Sequence, residues 1–291
     1  MQAKTLGALS FAITMAIAPL GSQARTVIQN KGSDTLVNVA QAWAEDYQTV
    51  KPDVAIAVTG GGSGTGIASM INGTVDIANA SRKIKDKEMK LAEENGQHPL
   101  EHVVGFDALA VYLHKDNPIK NMNFEQLAKI YGRGGAFTKW SDLGVKVPGC
   151  DSDEIVVVSR QNNSGTYVYF QKAVLGKGGK FRQGTLDMHG SKDVVDLVEK
   201  TACAIGYSGL AYTTDHVNMA CISKADEPCV NPSVATASDS SYPIARPLMM
   251  YTNGEPTGDV KDYMDYVKSD IGQCTILKKG YAPIRAIECA E

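Results

Sequence analysis

Four short segments of this chain each deliver serine, threonine or glycine to a place where a helix would begin. They are Gly32-Ser33-Asp34-Thr35, Gly62-Ser63-Gly64-Thr65-Gly66, Ala80-Ser81-Arg82 and Ser164-Gly165-Thr166, the last preceded by Arg160. Hydroxyl groups donate hydrogen bonds, and the first turn of a helix leaves its amide N–H groups without partners. The end of the helix also carries about half a positive charge, so such a turn holds an anion without needing a cation. Glycine lets the backbone approach a ligand closely because it has no side chain. A single such turn is ordinarily only a helix cap, with Ser or Thr satisfying the first amides. Four in one chain point to anion binding.

The elements that must position these turns alternate. Val27–Gln29 is a strand leading into the first turn, and Leu36, Val39, Ala40, Trp43, Ala44 and Tyr47 recur at helical spacing. Val54–Val58 is a β-branched strand before the glycine-rich turn, with a helix through Ile67, Met70 and Ile71 that stops at Gly73. Val75–Ala78 is a strand ahead of Ser81, and Val103–Leu113 is an apolar run that reads as a buried strand crossing between lobes. In the second half, Ile155–Val158 feeds the Arg160 turn and a helix follows. Ala204–Tyr207 is another strand, Pro243–Tyr251 a second crossing strand, and Val260–Val267 a late helix. Alternating strands and helices predict an α/β fold with mostly parallel sheets.

Other chemistries fit poorly. The Gly60–Gly66 segment lacks the Lys-Ser/Thr ending of a nucleotide-binding loop and does not align to G-x-G-x-x-G. Ser63, Ser164 and Ser208 lie outside any G-x-S-x-G elbow. The five histidines show no H-E-x-x-H spacing, and Pro99 separates His98 from His102. Asp34 and Asp107 have the chemistry of general bases, but acidic residues in turns are more often caps. Trp43 and Trp140 read as core. No metal site and no cofactor is expected.

The chain has 291 residues, with 43% apolar and 21% charged residues and a formal net charge of −3. That is globular composition, and the charge gives no bulk attraction to nucleic acid. An anion must therefore be held by local geometry. Residues 1–24 combine Lys4, an apolar stretch from Leu6 to Leu20 and a Ser22-Gln23-Ala24 ending. These are the parts of a signal peptide cleaved after Ala24, and the apolar stretch is short for a membrane span. The six cysteines all follow residue 149 and form no C-x-x-C pair. An even number in an exported chain favours disulfides, with 15 connectivities open. Local closure favours Cys221–Cys229 and Cys274–Cys289, leaving Cys150–Cys203.

Taken together and in this order, the segments resemble the periplasmic phosphate-binding proteins of ABC transporters, from about Val27 to about Arg285. The motifs that carry the resemblance are Gly32–Leu36, Gly62–Gly66, Asp76–Arg82, Arg160 with Ser164–Thr166, and Ala204–Tyr207. Trp140–Gly144 matches as a structural segment. The resemblance implies the two-lobed periplasmic-binding-protein fold, with two mostly parallel sheets joined by two hinge strands. Residues 25–107 and 247–291 would form lobe I, and 108–246 lobe II. It further implies a periplasmic protein that is not an enzyme. Such a protein traps inorganic phosphate between the lobes and passes it to the permease and ATPase complex of an importer.

Carried over position by position, the phosphate ligands are Thr35, Leu36, Ser63, Ser81, Arg160, Ser164, Gly165 and Thr166. Asp34, Arg82, Asp107 and Asn162 stand as neighbours of that set. Ser81 occupies a position where many members carry an aspartate that accepts the proton of hydrogen phosphate, and Asn162 one where an acidic residue often pairs with the arginine. With serine at 81, Arg82 becomes the candidate second cation and Asp34 or Asp107 the candidate proton acceptor. Arsenate stays open as a ligand. The alternatives are a phosphate or arsenate sensor or scavenger without transport, and a hydrolase of phosphate esters using Ser63 or Ser164.

Overall fold

The computed structural model describes residues 25–225 and 227–289, so the expected signal peptide lies outside the described residues. The chain begins with β1 (Thr26–Gly32), α1 (Val37–Val50), β2 (Val54–Thr59), α2 (Ser63–Ile71), β3 (Ile77–Ala80) and α3 (Asp86–Glu94). The long β4 (Pro99–His114) follows, then β5 (Asn121–Asn123), α4 (Phe124–Tyr131), β6 (Val156–Arg160) and α5 (Gly165–Phe170). Next come β7 (Leu186–Met188), α6 (Ser191–Lys200), β8 (Ala204–Gly209), β9 (Val217–Met219) and β10 (Cys221–Ser223). The chain ends with α7 (Val234–Ser238), β11 (Ala245–Asn253), α8 (Gly258–Lys268) and α9 (Asp270–Lys278).

In the first lobe β2, β1 and β3 pair in parallel, and β11 closes the set antiparallel to β3. Helix α1 buries Val39, Ala40, Trp43 and Tyr47, the face read from the sequence, in a core with Ile28, Leu248 and Tyr263. In the second lobe β6 pairs in parallel with β7 and β8, and Trp140 joins Tyr131, Phe170 and Tyr207 in a separate core. These cores lie on either side of the crossing. The cysteines form three disulfides, Cys150–Cys203, Cys221–Cys229 and Cys274–Cys289.

The two expected sheets are fused. Strand β4 is hydrogen-bonded to β11 from Pro99 to Ala108, then to β8 from Leu109 to Leu113, so one strand serves both lobes in a nine-stranded sheet. Sixteen residues at about 3.3 Å each give a strand of roughly 50 Å, long enough to run through both. The second expected crossing segment, Pro243–Tyr251, passes between the lobes at its start. Among the described residues β11 pairs with β3 and β4, and the chain crosses just before it, where Leu109 N donates to Ile244 O at 3.2 Å. Among the described residues, no helix is long and apolar enough to cross a membrane.

Candidate anion-binding site

The turns singled out in the sequence converge where the two lobes meet. Ser33 Oγ donates to Ser81 Oγ at 3.0 Å, Ser63 Oγ lies 3.3 Å from Ser81 Oγ, and the Ser81 amide donates to Ser63 Oγ at 3.0 Å. From opposite lobes, Thr35 Oγ1 and Thr166 Oγ1 approach to 3.0 Å. Ser33, Thr35, Ser63, Ser81, Ser164 and Thr166 are all buried. Gly165 packs against this cluster. A Cβ at that position would stand 2.2 Å from Ser63 Oγ and 2.6 Å from Ser81 Oγ, so only glycine fits between the lobes as they stand.

Local geometry explains the convergence. Gly62 precedes α2 with φ +89, a conformation that side chains disfavour, and this turns the chain so that Ser63 opens the helix inward. A Cβ on Gly62 would also meet Asn163 O of the other lobe at 2.7 Å. The Gly64 amide donates to Asn163 O at 2.8 Å, and Asn163 Nδ2 returns a bond to Gly61 O at 2.9 Å. The lobes are thus clasped by one main-chain bond and one from the Asn163 side chain. Ser164 caps α5, its hydroxyl oxygen accepting from the Tyr167 amide at 3.3 Å. The Leu36 amide, expected to face the ligand, donates to Ser33 O at 3.0 Å within its own turn.

Each of the two arginines at the interface is held by a carboxylate. Arg160 Nη2 lies 3.2 Å from Asp34 Oδ2 and also donates to His189 O at 2.6 Å. Its Nη1 reaches Ser191 Oγ at 2.9 Å and its Nε reaches Met188 O at 3.3 Å, so most of its donors are spent on protein. Burial lowers the Arg160 pKa from its ordinary value, with Asp34 opposing the shift. Arg246 pairs with Asp107 through Nη2 at 2.8 Å and Nε at 3.0 Å, both residues fully buried. Burial pushes the Asp107 carboxyl above the usual carboxylate range, while the guanidinium beside it and the Leu210 amide pull it down. Arg246 also donates to Thr166 Oγ1 at 3.1 Å and to Thr35 Oγ1 at 3.2 Å.

A model of the PBP superfamily domain matches residues 20–270. Phosphate-binding protein PstS of Pseudomonas aeruginosa is 33% identical over 271 residues, covering 89% of this chain and 83% of that one. The chain belongs to the PstS family of phosphate-binding proteins. Protein SphX of Synechococcus elongatus is 29% identical over 288 residues, covering 94% of this chain and 83% of that one. A candidate phosphate ABC-transporter substrate-binding protein from Clostridium perfringens, solved with phosphate bound, superimposes with a TM-score of 0.78 at 29% identity. It covers 89% of this chain and 100% of its own. An ABC-type phosphate transport receptor from Vibrio cholerae gives 0.69 at 25% identity, covering 88% and 99%.

Within this PstS-family frame the structure brings Thr35, Ser63, Ser81, Gly165 and Thr166 into one cluster, with Asp34 and Asp107 beside it. Other expected neighbours stand apart. Arg82 makes a two-pronged bond to Glu88, both contacts at 2.8 Å, so its guanidinium is turned to that carboxylate. Asn162 is exposed and makes no side-chain hydrogen bond to Arg160; the arginine takes Asp34 from the opposite lobe instead. Neither Asp34 nor Asp107 is a free acceptor, since each carboxylate is occupied by an arginine and an amide. The residue missed in the sequence is Arg246. It is the one cation inside the apolar Pro243–Tyr251 run, as Asp107 is the one acid inside Val103–Leu113, and that mirrored pair of interruptions was a readable signal.

Proposed function

We propose that this protein captures inorganic phosphate between its lobes and delivers it to the permease and ATPase complex of an ABC importer. The observation that carries the reading is the meeting of Thr35 and Thr166 hydroxyls from opposite lobes, beside Ser63, Ser81 and Gly165. Hydroxyls and amides buried in this way bind a dehydrated tetrahedral oxyanion much more strongly than they would in water. Thr35, Ser63, Ser81, Ser164, Gly165 and Thr166 form the shell, with Arg160 supplying positive charge from the second lobe. The units that move are residues 25–107 with 247–291 against 108–246. The change of β4 partners between Ala108 and Leu109 supports that division.

The chain acts as a binding protein, not an enzyme, in the periplasm, where its three disulfides are stable. Names and structures of its relatives support the phosphate and transport assignments. Native mass spectrometry of the purified protein, followed by calorimetric titration with phosphate, arsenate and sulfate, tests the reading. Saturable one-to-one phosphate binding is expected, and no heat with phosphate after removal of any co-purified ligand would overturn it.

A further inference from the structure

Arg246 and Asp107 face each other directly in the β11–β4 register, at the point where the chain crosses between lobes. Arg246 is 1% exposed and Asp107 0%. A buried ion pair contributes little net stability, because loss of hydration offsets the attraction. What distinguishes this pair is where its remaining donors go. While Nε and Nη2 hold Asp107, Nη1 reaches the Thr166 hydroxyl of the second lobe and Nη2 also reaches the Thr35 hydroxyl of the first. The Tyr169 ring packs over the guanidinium at 5.7 Å, and the Tyr169 hydroxyl donates to Ala245 O, fixing the arginine from its other side.

A guanidinium only donates hydrogen bonds, whereas a hydroxyl both donates one and accepts. Each threonine oxygen therefore accepts a hydrogen bond from Arg246 and keeps its own hydroxyl hydrogen to donate. The two oxygens lie 3.0 Å apart, so they can use only one of their two protons on each other. We propose that Arg246, held by Asp107, is a positioning residue that commits the Thr35 and Thr166 hydroxyls to donate toward the bound anion. This rests on the oxyanion-capture reading above. One arginine thereby orients a donor on each lobe, and both donors converge only when the lobes are closed.

The test is a double-mutant cycle read by calorimetric phosphate titration. Arg246→Gln and Thr35→Val are each expected to weaken binding by about tenfold or more. The double variant should bind at least fivefold better than the product of the two losses, because without the Thr35 hydroxyl part of the arginine's task is gone. Arg246→Lys, which keeps the charge and can still donate, should recover part of the loss. Losses that simply multiply, or phosphate affinity unchanged in Arg246→Gln, would overturn the inference. Should Arg246→Gln fail to fold, the cycle is run with Arg246→Lys against Thr35→Val, with the same criterion of coupling. Wild-type protein that binds no phosphate would defeat the function itself, a result distinct from an uncoupled cycle.

Discussion

Arg160 Nη2 sits 3.2 Å from Asp34 Oδ2, and the two residues come from opposite lobes. Because it joins the lobes, this contact would be lost if they parted. A charge-assisted hydrogen bond with little water around it contributes roughly 1.5–3 kcal/mol. Asp34→Asn is therefore expected to weaken phosphate binding by about tenfold. Small-angle scattering should also show a larger fraction of open molecules at subsaturating phosphate. An unchanged affinity would mean that the contact forms without contributing to closure.

Gly165 offers a steric version of the same experiment. In Gly165→Ala the new methyl group would meet Ser63 Oγ at 2.2 Å and Ser81 Oγ at 2.6 Å, across the interface. Because these groups separate when the lobes part, thermal stability of the unliganded protein should hardly change. Phosphate affinity should fall by more than tenfold, read by titration.

Ser81→Asp probes selectivity. Ser81 Oγ already accepts a hydrogen bond from Ser33 and lies beside Ser63, so a carboxylate there would find donors waiting. It would accept the proton of hydrogen phosphate and repel sulfate, which has none to offer. The ratio of phosphate to sulfate affinity is expected to rise at least tenfold, measured by competition titration at neutral pH. A ratio that stays put would place Ser81 away from the ligand.

His102 should make stability depend on pH. Lys268 Nζ donates to its Nδ1 at 3.1 Å, and Nε2–H donates to Thr252 Oγ1 at 2.8 Å, which in turn donates to Gly254 O at 2.8 Å. This arrangement needs a neutral ring. Burial lowers the His102 pKa and the Lys268 charge adds to that, with Glu255 opposing. A histidine with a lowered folded pKa binds its proton more readily when unfolded, so stability is lost as pH falls through the unfolded value of about 6.5. Thermal midpoints should drop between pH 7.5 and 5. In His102→Gln the slope should be shallower, and equal slopes would remove His102 as the source.

The disulfides should differ in what their loss costs. Chain-entropy arguments scale with the loop closed, and the separations are 53 residues for Cys150–Cys203, 15 for Cys274–Cys289 and 8 for Cys221–Cys229. Replacing each pair by alanine should cost about 4, 3 and 2.5 kcal/mol in that order. Urea unfolding of the three double variants checks the ranking.

The turns and the helix faces were legible in the sequence because both are local. The Trp43 face of α1 needs only a period of 3.6, and the hydroxyl-glycine turns need only neighbouring residues. Arg246 was not legible as part of the site, because its role depends on lying opposite Asp107, 139 positions earlier, and next to hydroxyls from two other turns. The Arg160 partner escaped for the same reason. The family pattern puts the arginine's acidic partner close by in sequence, at the position held here by Asn162, and the fold supplies Asp34 from the other lobe. The sharing of β4 between lobes was hidden too, since an apolar run shows that a strand is buried but not which neighbours it takes along its length.

The clasp between Gly64 N and Asn163 O uses no side chain, and glycines flank it on the first lobe. Mutation can therefore reach the ligand-facing serines, threonines and arginines without touching this main-chain bond between the lobes. A lineage that exchanges Ser81 for aspartate, or the reverse, keeps its closing machinery while its chemistry drifts. That part of the closing contact is inherited with the backbone, and the preference for one oxyanion over another is left to vary one side chain at a time.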